Sequence, residues 1–181
     1  MTRAVPPSAA SPANAPAASP SLRLTQIAAG LIVAIAAAGT LAGAWYFQLV
    51  VGLAPCPLCL EQRIPYYVGV PLALVAVALA SAGKANFARM ALSLTAMLMA
   101  LAACLAIYHA GVEWGFWQGP TACSGSGPAL GGGNMLDSLQ QARVVRCDEA
   151  PWRLFGLSLA GYNAFIAVAL TLVALRGAAA R

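Results

Sequence analysis

LVVGLAPCPLCLEQRIPYYVGV, residues 49–70, joins the end of one long apolar run to the start of another, and its short join holds Cys56 and Cys59. Reading outward from it, apolar runs recur at about 27–51, 66–82, 88–111 and 154–175. At about 1.5 Å rise per residue, runs of roughly 17 to 25 residues cross a hydrocarbon core of about 30 Å as helices. The 181 residues are 61% hydrophobic and only 8% charged, against roughly a quarter charged in soluble domains. An all-α membrane protein is expected, a four-transmembrane-helix bundle with two exterior loops at about 52–65 and 112–153.

Four spans put both termini on one side. Arg3, Arg23, Lys84, Arg89, Arg176 and Arg181 then share that side, while Glu61, Glu113, Asp137, Asp148 and Glu149 fall on the other. The positive-inside rule makes the termini cytoplasmic and turns the cysteine-bearing loops to the oxidising exterior, the periplasm in a bacterium. The net charge of +5 is accounted for by basic residues at cytoplasmic helix ends, so no nucleic-acid partner is called for. Residues 1–22, rich in Pro, Ala and Ser, read as a disordered cytoplasmic tail, and 23–176 as one membrane domain. The first span reads as a retained anchor rather than a cleaved signal. In the second loop, Gly-rich residues 124–133 read as a flexible tether beside Cys123, and Asn134 as a possible cap for a short surface helix through Arg143.

Four of the five cysteines, Cys56, Cys59, Cys123 and Cys147, lie outside the apolar runs. A Cys-x-x-Cys pair closes into a small disulfide ring open to thiolate attack, the elementary step of exchange. The same spacing also serves a static staple or half of a metal site. A ring across four residues restrains little of the unfolded chain, and zinc needs further ligands where the sole histidine, His109, stands at the exterior end of the third span. No metal is therefore assigned. Arg63 follows Cys59 by four residues, a spacing at which a helix brings its cation within one turn of the sulfur and favours thiolate. Arg at a span end is otherwise an interface anchor.

With these residues in view, the chain from about Arg23 to Arg176 resembles the DsbB family of bacterial disulfide-bond oxidoreductases. The likeness rests on Cys56-Pro-Leu-Cys59-Leu-Glu-Gln-Arg63, Tyr108-His109, and Cys147-Asp-Glu-Ala-Pro-Trp-Arg153. It implies disulfides Cys56–Cys59 and Cys123–Cys147, all four cysteines being catalytic, in a protein of the bacterial inner membrane. It further implies that Cys123 exchanges with a DsbA-type thioredoxin-fold partner. Electrons would pass from Cys123 and Cys147 to Cys56 and Cys59, then to a membrane quinone, ubiquinone before menaquinone, held by Cys59, Arg63 and His109. A DsbA-type couple near −120 mV is already strongly oxidising, so a quinone rather than a lower-potential thiol is the acceptor that keeps it oxidised. The sequence carries no dinucleotide-binding glycine fingerprint.

His109 reads equally as a proton carrier or as an interfacial ring packed beside Tyr108 and Trp114. Cys104 reads as a small buried apolar residue. Trp114, Trp117 and Trp152 read as an exterior aromatic belt. The competing function from another class is a transporter or scaffold whose loops are merely stapled by disulfides.

Overall fold

The computed structural model describes residues 19–120, 123 and 146–180. The tail before Ser19, the Gly-rich 124–133 and the surface helix expected from Asn134 lie outside them. Four long helices form a membrane bundle: α1 (Pro20–Leu49), α3 (Ile64–Ser81), α4 (Ala85–Glu113) and α5 (Leu159–Ala179). A single turn, α2 (Pro57–Glu61), precedes α3, and a two-residue-stranded hairpin, β1 (Arg153–Leu154) with β2 (Leu157–Ser158), precedes α5.

Local chemistry sets the helix limits. Pro20 occupies the first turn of α1, where its missing N–H costs nothing, and the Ser19 hydroxyl accepts the Leu22 N–H at 3.3 Å. Residues 20–22, read as tail, thus belong to the first helix. Between α3 and α4, Gly83 takes φ 77°, and the Lys84 N–H reaches back to the Leu79 carbonyl at 2.9 Å. This left-handed glycine closes the helix and turns the chain in three residues.

The fourth helix starts later than the apolar run does. Leu154, Phe155 and Leu157 carry the hydropathy of a span, yet Phe155 (φ 48°) and Gly156 (φ 83°) make a tight hairpin turn, and Ser158 caps α5 by accepting the Gly161 N–H at 3.1 Å. Two successive positive-φ residues suit a hairpin and exclude a helix.

Inside the bundle the side chains are small. Ala37, Ala73, Ala76, Ala102, Ala167 and Ala174 are fully buried, with Val33, Leu92 and Met99 filling the gaps. Larger residues such as Ile35, Met97 and Phe165 face outward. Lipid is as apolar as Leu, so helices here associate through close packing rather than by hiding large side chains from water. At Gly177 even a methyl would come within 2.5 Å of the Ala29 Cβ. Cys104 also faces outward, not inward as expected, because the inner face of α4 is taken by Ala102, Ala103 and Ala106.

At the end of the bundle away from the cysteines, helix-terminal carbonyls receive side chains from neighbouring helices. Arg23 Nε donates to the Ala80 carbonyl at 3.2 Å, Gln26 Nε2 to that of Ala85 at 3.2 Å, and Arg89 Nη2 to that of Ala180 at 2.8 Å.

Candidate functional site: two cysteine pairs above an apolar cavity

Pro55 and Pro57 confine the backbone around Cys56, which becomes the N-cap of α2 and accepts the Cys59 N–H on its sulfur at 3.2 Å. One helical turn then brings the two sulfurs to 2.6 Å, with Cys56 buried and Cys59 half-buried, the pair standing unbonded. Cys123 and Cys147 are disulfide-bonded, their Cα atoms 5.1 Å apart. Cys56, Leu58, Val112, Cys123 and Cys147 share one buried cluster, so the two pairs adjoin although the loops are far apart in sequence.

Beneath Cys59 a cavity of about 530 Å³ opens between α1, α3 and α5. Its α1 wall is Ala36, Gly39, Thr40, Gly43 and Ala44, whose spacing presents one helical face. A methyl added at Gly39 or Gly43 would touch nothing within 4 Å, so these small residues leave space rather than receive a neighbouring helix. Arg63 stands at the polar end of the cavity. It caps α3 rather than continuing the cysteine helix, because a turn at Gln62 separates α2 from α3 and Pro65 sits in the first turn of α3. Its guanidinium donates to Gln48 Oε1 at 2.7 Å and lies 5.3 Å from the Trp45 ring centre. A mainly apolar cavity with the Arg63 guanidinium and a thiol at its end, and Glu113, Arg146 and Glu149 also in its lining, fits a quinone ring with an apolar tail.

His109 is buried and turned toward Cys56, away from the packing with Trp114 and Tyr108 considered from sequence. Tyr108 instead stacks on Trp117, their rings 6.0 Å apart. Trp114 and Trp117 are exposed at this end of the bundle, and Trp152 packs on Phe47. A polar chain reaches His109 from the other helices. Tyr66 Oη donates to Asn163 Oδ1 at 2.6 Å, Asn163 Nδ2 to Gln62 Oε1 at 2.7 Å, and Gln62 Nε2 meets His109 Nδ1 at 2.7 Å. Glu113, one turn beyond His109, accepts the Ser158 hydroxyl. Sequence reading passed over Tyr66, Gln62, Asn163 and Ser158, and counted Glu113 only as an exterior charge. The available signal was polarity within apolar runs, where an unneeded amide is costly.

Cys56, Cys59 and His109 have donor atoms within 4.8 Å of one another, a spacing that a soft metal accepts. The amide bonded to Nδ1 leaves the other ring nitrogen facing the sulfurs with its proton, which disfavours metal ligation there.

Contact with Cys59, and then burial, push the Cys56 thiol far above its ordinary range. Cys56 therefore stays protonated near neutral pH, and raising the pH through the alkaline range increases its thiolate fraction. With the dithiol form and a small alkylating agent, peptide mapping is expected to find Cys59 modified first, with Cys56 labelling accelerating as pH rises. Equal labelling at pH 7 would contradict the assignment.

A family profile described as "Disulfide bond formation protein DsbB" matches residues 26–176. Among curated proteins, "Disulfide bond formation protein B" of Verminephrobacter eiseniae is 33% identical over 158 residues, covering 80% of this chain and 82% of its own. The proteins of the same description from Polaromonas sp. (29% identical, 80% and 85% covered) and Marinobacter nauticus (30%, 74% and 80%) match comparably. No solved structure matches the chain at a significant level.

Proposed function

Given that this chain belongs to the DsbB family, disulfide bond formation proteins of the membrane, we propose that it reoxidises a periplasmic DsbA-type dithiol protein and passes the electrons to a membrane quinone. The observation that carries this reading is the adjacency of three things: the Cys123–Cys147 disulfide, the Cys56 and Cys59 pair, and the cavity below Cys59 with Arg63 at its end.

In the proposed sequence a thiolate of the reduced partner attacks Cys123, and Cys147 leaves as thiolate. Cys147 attacks Cys56 of a Cys56–Cys59 disulfide, and Cys59 leaves as thiolate into the cavity. The partner's second thiolate then releases its own disulfide, freeing Cys123. Cys123 attacks Cys147, restores the loop disulfide and expels Cys56. Each exchange breaks one S–S bond and forms one, and the two electrons end on the Cys56 and Cys59 pair. A bound quinone supplies the sink for two electrons and two protons. Arg63 is assigned to hold its ring and stabilise developing negative charge, and His109 to the thiol side of the same site. In this reading the protein lies in the bacterial inner membrane with its termini cytoplasmic and its redox loops periplasmic; the basic residues Arg23, Lys84, Arg89 and Arg176 at one end support that orientation.

The test is quinone reduction by the purified protein, followed optically, with a reduced DsbA-type protein as donor. Catalytic turnover is expected. Absence of turnover, with both disulfides formed and quinone in excess, would return the chain to the stapled-scaffold reading.

A further inference from the structure

The hydrogen-bond chain ending on His109 has a fixed direction. Gln62 Nε2 lies 2.7 Å from His109 Nδ1 and also 3.2 Å from the Leu58 carbonyl oxygen, which only accepts. An amide nitrogen has two protons, and here each has one acceptor. Flipping Gln62 would set its oxygen against the Leu58 carbonyl and its nitrogen against Asn163 Nδ2, losing both bonds. The Tyr66 hydroxyl, 2.6 Å from Asn163 Oδ1, can donate or accept, so the Leu58 carbonyl is the contact that sets the direction of the chain. Nδ1 of the neutral ring is thus an acceptor, and the single ring proton sits on Nε2.

That proton faces the Cys56 sulfur, with the Cys147 backbone beside it as a second acceptor. His109 Nε2 is 3.6 Å from Cys56 Sγ, an ordinary N–H to sulfur separation, and 3.9 Å from Glu113 Oε1, too long for a hydrogen bond to oxygen. Glu113 is engaged elsewhere, by the Ser158 hydroxyl. We propose that His109 is a catalytic hydrogen-bond donor to Cys56, held in its Nε2–H tautomer by Gln62, which the Leu58 carbonyl orients, and that it stabilises the Cys56 thiolate as that sulfur leaves.

The inference rests on the dithiol exchange sequence proposed above and concerns its last step. When Cys123 attacks Cys147 of a Cys56–Cys147 bridge, the Cys123–Cys147 bond forms, the bond to Cys56 breaks, and the electron pair stays on Cys56 Sγ. No proton moves from the ring, since losing Nε2–H would leave an imidazolate. Buried among Leu58, Val112 and the loop disulfide, Cys56 has little water to solvate its charge, so a preorganised N–H is worth more there than at the surface. The function differs from holding quinone, because it acts on the Cys56 sulfur and not on the acceptor.

The chain has one histidine, so protein labelled with 15N-histidine and carrying a histidine-free tag gives a single imidazole spectrum. The expected spectrum is of a neutral ring protonated at Nε2, becoming a tautomer mixture in Gln62→Leu. A wild-type ring protonated at Nδ1, or at both nitrogens near neutral pH, would overturn the proposal whatever the enzyme's activity. The kinetic arm follows decay of the Cys56–Cys147 bridge in a single turnover, by quenched alkylation and mapping. His109→Leu is expected to slow that decay about 10- to 100-fold, while His109→Gln, whose amide offers an N–H at similar reach, restores most of the rate. Equal rates in both variants and wild type would also overturn it. Failure of quinone reduction with an intact ring tautomer would instead count against the wider functional reading.

Discussion

Cys59→Ser is expected to oxidise one equivalent of reduced partner and then stop, while Cys123→Ser oxidises none. The difference follows from where each cysteine stands. Cys123 and Cys147 are already bonded to each other, so the loop disulfide can take one electron pair without help from the second pair. Cys56 and Cys59 both line the cavity, Cys59 being the more exposed of the two, and without Cys59 the Cys56 sulfur has no partner and the quinone no thiolate. Quinone reduction by either variant should fall to background, a loss of several orders of magnitude. Partner thiols counted against enzyme over time give the stoichiometry directly. A Cys59→Ser protein that keeps turning over would show that electrons reach the acceptor without the Cys56 and Cys59 pair.

Arg63→Leu is expected to lower quinone turnover by about 10²- to 10³-fold, the usual cost of removing one donor aimed at developing charge. Part of that loss is positional, since the guanidinium also braces Gln48 and Trp45 on α1. Arg63→Lys separates the contributions: it keeps the charge but loses the planar fork, and should recover part of the rate. Single-equivalent oxidation of the partner should survive in both variants, because the loop disulfide does not touch Arg63. If Arg63→Leu instead abolished that first exchange while quinone bound normally, the residue would belong to the thiol side of the site.

The sequence exposed the spans and the cysteines because both are local signals, a run of hydropathy and a four-residue spacing. It misplaced the start of the last helix, since Leu154, Phe155 and Leu157 are as apolar in a hairpin as in a span, and only Gly156 hinted at a turn. Gln62, Tyr66 and Asn163 were missed for a different reason. Tyr66 and Asn163 are 97 positions apart and Gln62 and Asn163 are 101, and no periodicity in either helix records that pairing. The small residues of α1 suit a packing face and a cavity wall equally well in the sequence alone. Only the position of the other helices decides between them, and Gly39 and Gly43 face open space.

The arginines that reach across to neighbouring helix ends bear on how the bundle assembles. Ser81, the last residue of α3, has its carbonyl beyond the helical ladder, and Arg23 of α1 donates to it and to the neighbouring Ala80 carbonyl; Arg89 of α4 does the same for Ala180 after α5. These bonds form only when each helix enters with its charged end on the same side as its neighbour's bare carbonyls. A helix inserted upside down would strand a guanidinium and an unanswered peptide group at opposite faces of the membrane. The same basic side chains that the positive-inside rule counts for orientation thus also latch the assembled helices to one another, and an inverted helix would lack that latch.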